Sequence, residues 1–402
     1  MKKSAFFVLC VILFLPLFAY SQPFTIVGPR ALGMGGASVA AVNDSSAVYW
    51  NPAALGGFKK LEIRIPVGAA IRDHISLQDK WDRIIEIKGL IDNRNSQALD
   101  EFDRLLTDLE RPGTGTDLDA NTGLYIAIPF SGSAIAISSP AFGYAGLYPT
   151  IDTYHRNTTS SLPLPDNSVL YNNSAVTGMG MITVEPTFSF ATRLGENVLI
   201  GANAKMIYAS TFIHSTNIRT VDIDNFIDNM DASRTDSNKA GLDAGIVIKL
   251  TESISMGIVG RNLNSPSFPI KGYIAQQEGS GKVMTIYTDG ELELEPQYRA
   301  GVAFRPLSFL TLSADYDISK NKSIGIPGYE DQTAAAGLEI TLPKEIISIR
   351  GGVYKNLADS DSNPVYTAGL GIRLFFLRVD VAGAYDFQEQ ESQVAASLAL
   401  RF

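Results

Sequence analysis

Cysteine is nearly absent from this sequence. The single one, Cys10, lies in an apolar stretch near the start, after Phe7-Val8-Leu9, which lacks the small residues of a lipoprotein cleavage box. Disulfides, thiolate catalysis and thiolate metal sites are therefore excluded from the remainder. Histidine is scarce: His74, His155 and His214 are the only three. A hydrolytic triad needs serine, histidine and an orienting acid in contact, and His214-Ser215 are merely adjacent in sequence. No enzyme is expected, and no cofactor or metal centre. Positive charge is also short, with 33 Lys and Arg against 42 Asp and Glu. The formal charge of −9 becomes −11 once Lys2 and Lys3 are discounted. Nucleic acid is an unsuitable partner, because phosphate contacts need clustered cations. Past the first twenty-odd residues no run of 18 apolar residues exists, so no helix of the chain is expected to cross a membrane. If it spans one, it must do so as a closed barrel, which satisfies every backbone group.

The two ends of the chain carry complementary signals. Met1-Lys2-Lys3, the apolar run Ala5 to Phe18 and the small residues of Ala19-Tyr20-Ser21 read as a secretory signal peptide over 1–21. At the other end, Val394, Ala396, Leu398, Leu400 and Phe402 fall on one face of a strand and Gln393, Ser397 and Arg401 on the other. An exported chain ending on an amphipathic strand with a terminal Phe resembles a Gram-negative outer-membrane barrel. Phe402 would then be the signal read by the barrel-assembly machinery.

Period-2 alternation recurs along the chain. In 364–375, Tyr366, Ala368, Leu370, Ile372 and Leu374 oppose Thr367, Gly369, Gly371 and Arg373. In 309–319, Leu310, Leu312, Ala314, Tyr316 and Ile318 oppose Thr311, Ser313, Asp315 and Asp317. Small and charged residues on one face and apolar ones on the other suit a lumen and a lipid surface. Fourteen such segments are expected, near 61–70, 122–130, 132–144, 181–194, 197–212, 238–250, 253–264, 295–305, 309–319, 332–342, 346–356, 364–375, 377–388 and 393–402. Short turns alternate with long loops, as in outer-membrane barrels, with the short ones facing the periplasm. The expected fold class is all-β: a transmembrane antiparallel barrel over 58–402 embedded in outer-membrane lipid.

The first long loop departs from this pattern. Residues 74–110 read as an amphipathic helix pair broken at Asn93-Arg94-Asn95 and ended by Pro112-Gly113. Trp81, Ile84, Ile85, Phe102 and Leu106 lie on its apolar stripe. They are expected either to cap the barrel rim or to form a groove or gate for a hydrophobic ligand. Asp117-x-Asp119-x-Asn121 and Asp359-x-Asp361-x-Asn363 have calcium-loop spacing without the glycine or glutamate such loops require. They read as solvated acidic loop tips, as do Asp222, Asp224, Asp228 and Asp231.

Residues 22–57 precede the first strand and are rich in small residues, as "GPRALGMGGASVA…NDSSAVYWNPAAL" shows. Glycines let backbone pass close to backbone, and Asn51-Pro52 favours a turn. Gly33-x-Gly35-Gly36 lacks the βαβ context of a dinucleotide loop. A plug threaded into a lumen fits this composition. The run resembles the N-terminal hatch of the FadL/TodX superfamily of outer-membrane transporters of hydrophobic compounds. It is most similar to a TraF-like, conjugation-associated branch with a helical insert after the first strand. The resemblance implies fourteen strands and hatch residues at Gly33, Met34, Gly35, Gly36, Asn51, Pro52 and Ala53, with Asn51 tying the plug to the first strand. It also implies passive uptake of a small hydrophobic, fatty-acid-like molecule that leaves through a kink in the wall. The alternative is a structural or interaction protein of an envelope or secretion assembly, as in the related PorV-like proteins.

Overall fold

The computed structural model describes residues 24–73, 77–111, 113–388 and 391–402. The signal-peptide segment, His74 and Pro112 lie outside the described residues. Strands β1 (Glu62–Asp73), β2 (Thr116–Phe130), β3 (Ser133–Thr150), β4 (Ala175–Val184), β5 (Thr187–Leu194), β6 (Val198–Asn217), β7 (Thr235–Lys249) and β8 (Ile254–Arg261) build the first half. After β9 (Ser267–Gln277) and β10 (Val283–Glu293), the wall resumes with β11 (Gln297–Leu307) and β12 (Leu310–Asp317). The two-residue strands β13 (Asn321–Lys322) and β14 (Glu330–Asp331) follow. The wall then ends with β15 (Thr333–Thr341), β16 (Ile347–Asn356), β17 (Val365–Leu374), β18 (Leu377–Tyr385) and β19 (Glu391–Arg401).

β19 pairs antiparallel with β1, and β2 with both β1 and β3, so the sheet closes on itself. β4 and β5 share one register against β3 and one against β6, so they are halves of a single interrupted strand. Counted so, the wall is a closed antiparallel barrel of 14 strands. Alternation sorts its faces as the sequence implies. On β18, Val379 and Val381 are 45% and 47% exposed while Asp380 between them is 1% exposed. Strands such as β3 and β6, of 18 and 20 residues, exceed the roughly 10 that a tilted strand needs to cross a bilayer, and extend beyond the long-loop end. Among the described residues no helix is long and apolar enough to cross a membrane.

Three outer segments hold structure that the alternation does not predict. Residues 265–294 form the β9–β10 hairpin, which tucks into the mouth against β6. Thr211 Oγ1 donates to the Pro269 carbonyl at 2.6 Å, and Phe268 is buried with Met181, Ile207 and Ile324. Residues 320–331 carry the β13–β14 pair. Residues 213–237 carry α5, Ile223–Ala232, capped by the Asp222 side chain on the Asn225 amide. Asp222 is therefore a helix cap as well as a loop acid. Asp117, Asp119 and Asn121 are not loop tips: all three lie buried in β2, where Asp117 pairs with Arg72 at 2.8 Å and Asp119 also pairs with Arg72. Their spacing of two puts them on the lumen face, and burial demands a cation partner.

Candidate functional site

The lumen is occupied by residues 24–57. After Gly28 the segment forms α1 (Pro29–Gly33) and a tight turn in which Gly35 and Gly36 take φ of 66° and 84°. Only glycine adopts such angles without strain. α2 (Ala47–Trp50) and the 3-10 turn Pro52–Gly57 complete it. The segment follows the inner wall against sequence order, from β18 and β17 round to β6 and β5. Along this path successive strands meet it with glycines: Gly369, Gly352, Gly337, Gly301, Gly257, Gly245 and Gly201. A methyl group on Gly201 would lie 2.5 Å from the Pro52 carbonyl carbon, and one on Gly35 would lie 2.7 Å from the Val353 oxygen. Such separations are far inside van der Waals contact, so hatch and wall meet backbone to backbone.

Wall side chains supply the hatch's missing hydrogen-bond partners. Asp315 Oδ2 accepts from the Ser38 and Val39 amides at 2.7 and 2.8 Å. Thr367 Oγ1 accepts from the Gly35 amide and donates to the Gly33 carbonyl at 3.0 and 3.2 Å. Ser313 Oγ donates to Ala37 O at 2.8 Å. Asn51, fully buried, donates from Nδ2 to the carbonyls of Val39, Ile246 and Ile258 at 3.1–3.4 Å, and its Oδ1 accepts from the Ala53 amide. Its wall partners are thus β7 and β8 and not the first strand, because the path of the hatch brings Asn51 to the far side of the lumen before the chain returns to β1.

Two charges of the hatch enter a wall network. Arg30 donates to Glu339 at 2.8 Å, Arg350 reaches both Glu339 and Asp380 at 2.7 and 2.9 Å, and Arg64 lies between Asp380, Glu62 and Asp44. Burial alone would raise the Asp44 carboxyl. The Arg64 and Arg30 guanidiniums and hydrogen bonds from Ser46 outweigh it and hold Asp44 well below the usual carboxylate range. Above this network Phe24, Tyr49 and Trp50 pack together, with the Arg299 guanidinium 4.3 Å from the Phe24 ring centre and that of Arg261 3.9 Å from the Tyr49 ring. Burial pushes the Tyr49 hydroxyl up to about 12.

One wall strand is interrupted, between β4 and β5. Pro140 and Pro186 lack N–H groups, and the gap between β4 and β5 is crossed by Glu185 N to Pro140 O (2.8 Å) and Met206 N to Pro186 O (3.0 Å). A polar chain links this break to the hatch. Glu185 pairs with Lys205 at 3.1 Å, Lys205 with Asp243 at 3.3 Å, and Asn203 donates both to Asp243 and to the Val48 carbonyl of the hatch at 3.0 and 2.8 Å.

Of the residues singled out in the sequence, Gly33, Met34, Gly35, Gly36, Asn51, Pro52 and Ala53 all sit in this hatch–wall contact. The rim residues sit elsewhere. Ile84, Phe102 and Leu106 are at most 1% exposed inside a core formed by α3 (Leu77–Asp92), α4 (Ser96–Leu109), Ile151, Val169 and Ile218. Trp81 packs at its edge, and Ile85 is half exposed on the other face. Ile84, Phe102 and Leu106 are thus spent on the core of the cap. His155 is held by Asp152 at 2.6 Å and His214 packs on Phe226. Phe402 is exposed, stacks on Phe376 at 5.7 Å and donates its amide to the Leu61 carbonyl. The wall partners Asp315, Thr367, Glu339 and Arg350 escaped the motif search. Their signal was present as inward polar residues, which in the strands of Thr367, Glu339 and Arg350 accompany an inward glycine.

A family model described as F plasmid transfer operon, TraF, protein matches residues 48–317. Among curated proteins no sequence matches the chain. Among solved structures, the toluene transporter TbuX of Ralstonia pickettii is similar with a TM-score of 0.55 at 13% identity, covering 93% of this chain and 97% of that one. The P. putida toluene transporter TodX gives 0.53 at 14%, covering 96% and 99%. A Pseudomonas aeruginosa FadL homologue gives 0.56 at 14%, with the same coverage. At these identities the likeness is one of fold, and it extends over nearly the whole of both chains.

Proposed function

The chain belongs to the F plasmid transfer operon TraF protein family, and we propose that it is an outer-membrane channel for passive uptake of small hydrophobic molecules, long-chain fatty acids among them. One observation carries this reading: residues 24–57 lie in the lumen, while strands β4 and β5 are interrupted at Glu185-Pro186 within reach of a polar chain that ends on this segment. A water-filled pore would need neither feature. A lateral exit suits an apolar cargo, which lowers its free energy by entering lipid instead of the periplasm. The solved structures of like fold are titled as toluene transporters, a monoaromatic hydrocarbon channel and a FadL homologue, which supports the choice of cargo. On this reading the hatch residues act as a gate by backbone geometry, and Phe402 serves the assembly machinery.

The test is uptake of labelled toluene and hexadecanoate into proteoliposomes. Pro186→Val restores a donor at the break and should slow uptake of both at unchanged protein level. Uptake no faster than in protein-free liposomes would sink the reading. A second reading, a structural or interaction protein of an envelope or conjugation assembly, draws support from Ile85, Leu90, Ile223 and Ile227. These side chains stand 50–65% exposed on the rim helices. Recovery of a stoichiometric protein partner with native membranes would favour it.

A further inference from the structure

Beneath the hatch the barrel opens at its short-turn end into a cavity of about 390 Å³. Two surfaces meet there. One is apolar, formed by Val42 from the hatch, Phe58 just after it, and Leu199 and Val247 from the wall. The other is cationic, formed by Lys59, Lys60, Lys249, Arg305, Arg373 and Arg401. The single carboxylate lining the cavity, Glu345, is already engaged by Arg373 at 2.8 Å, Arg401 at 3.5 Å and Arg378 at 3.6 Å. Lys59, Lys60, Lys249 and Arg305 have no ion pair within 4.0 Å among the described residues. The charges acting on Lys249 are Arg193, Arg305 and Lys59, all of them cations.

One level higher the same barrel pairs its cations. Arg30, Arg64, Arg350 and Lys205 each have a carboxylate within 4.0 Å. Lys59, Lys60, Lys249 and Arg305, four cations without an ion pair, thus face one concave place, where low-dielectric walls concentrate their field. A free inorganic anion would use only the cationic surface and leave the apolar one wet. We propose that this vestibule binds a single-chain amphipathic anion, its tail against Phe58, Leu199 and Val247 and its head among Lys59, Lys60, Lys249 and Arg305. The choice of an aliphatic tail rests on the uptake reading; the charge of the head rests on the vestibule alone.

The experiment uses the full chain in lipid nanodiscs, with dodecanoate carrying a diazirine at its tail end and the corresponding dodecanol as neutral control. Photolabelled peptides are mapped. The dodecanoate probe should mark the segments around Phe58, Leu199 and Val247. That labelling should fall about tenfold, the weight of two partly screened charge contacts, in K249Q/R305Q. K59Q/K60Q, in the loop before β1, should act in the same direction, and heat-modifiable migration verifies both folds. The dodecanol probe should be indifferent to all four changes. Equal labelling by acid and alcohol, or labelling untouched in both double variants, would overturn the proposal. So would displacement of the probe by polyglutamate at a concentration where dodecanoate fails to displace it, which would make the vestibule a docking face for acidic protein. Labelling as expected, alongside failed vesicle uptake, would remove the uptake reading and leave the vestibule standing.

Discussion

The hatch and the rim cap each close one level of the same barrel, with different atoms. The cap is an ordinary apolar core. α3 and α4 turn Ile84, Phe102 and Leu106 inward, an Arg83–Glu101 pair at 2.5 Å joins the helices, and Asn95 caps α4 on the Ala98 amide. The hatch has an apolar core of its own against the wall on one side, where Phe24, Val27, Tyr49, Trp50 and Leu55 pack with Tyr125, Phe142 and Val259, and a different seam on the other. Along that seam the contacts are backbone against wall glycines, with hydrogen bonds involving Asp315, Thr367, Ser313 and Asn51. An apolar core loses free energy steeply when opened, because cavity and transfer terms add. A hydrogen-bonded, small-residue seam exchanges its partners for water at about 0.5–1.5 kcal/mol per bond. The contrast teaches that the cap is held chiefly by apolar burial, whereas the seam of the hatch adds hydrogen bonds that water can replace.

The largest expected effect lies in the cap. Phe102→Ala should cost about 3–5 kcal/mol of local stability. Amides of 96–109 should lose hydrogen-exchange protection while those of 33–53 keep theirs. Joint loss would show that cap and hatch form one cooperative unit.

At the seam, Gly352→Val puts side-chain atoms where Met34 and Gly35 backbone lies, and overpacking of this kind costs about 1–3 kcal/mol. The barrel should still insert, because its ladder is intact, and ion leakage across planar bilayers should rise. A silent bilayer with normal insertion would mean that the hatch does not seal the lumen.

Asn51→Ala removes three donated bonds to carbonyls and should cost about 1–3 kcal/mol, much of it from the carbonyls left unpaired. Exchange should quicken in 39–53 before it does in 28–36, since Arg30 and Thr367 still hold the latter.

The smallest effect concerns pH. The lowered Asp44 carboxyl means that the folded state binds this proton less readily than the unfolded chain does. Its contribution is present above the unfolded value, about 3.9, and fades only as pH falls further. Asp44 should therefore add no pH dependence to the protection factors of the hatch between pH 8 and pH 5. A break near pH 6 would implicate another group.

Much of this architecture was legible in the sequence, and for a physical reason. A wall with lipid on one side and a lumen on the other imposes period 2, as Leu370/Gly371 and Val379/Asp380 show. The glycines of 28–36 announced close backbone approach before any partner was known. The polar chain from Val48 to Glu185 was not legible, since it joins positions 137 residues apart through Asn203, Asp243 and Lys205, which no local pattern relates. Neither was the β9–β10 hairpin, whose alternation resembles that of any exposed strand until it folds onto β6. The Gly371 and Ser313 positions, inward as expected, proved to touch the Asp380–Arg350 network and the hatch respectively.

What the sequence determined by itself was the kind of surface each residue needs: lipid for Leu370 and Leu312, close backbone for Gly35, a helix seam for Phe102. Such needs follow from side-chain volume, charge and backbone freedom, which are local. What only the tertiary structure decided was who meets whom. Closure of the barrel sets β19 beside β1, runs the hatch backwards along the wall to place Asn51 on β7 and β8, and leaves Lys59, Lys60, Lys249 and Arg305 facing one cavity. Contacts between residues hundreds of positions apart depend on the register of every strand between them, and that register exists only once the ring has closed.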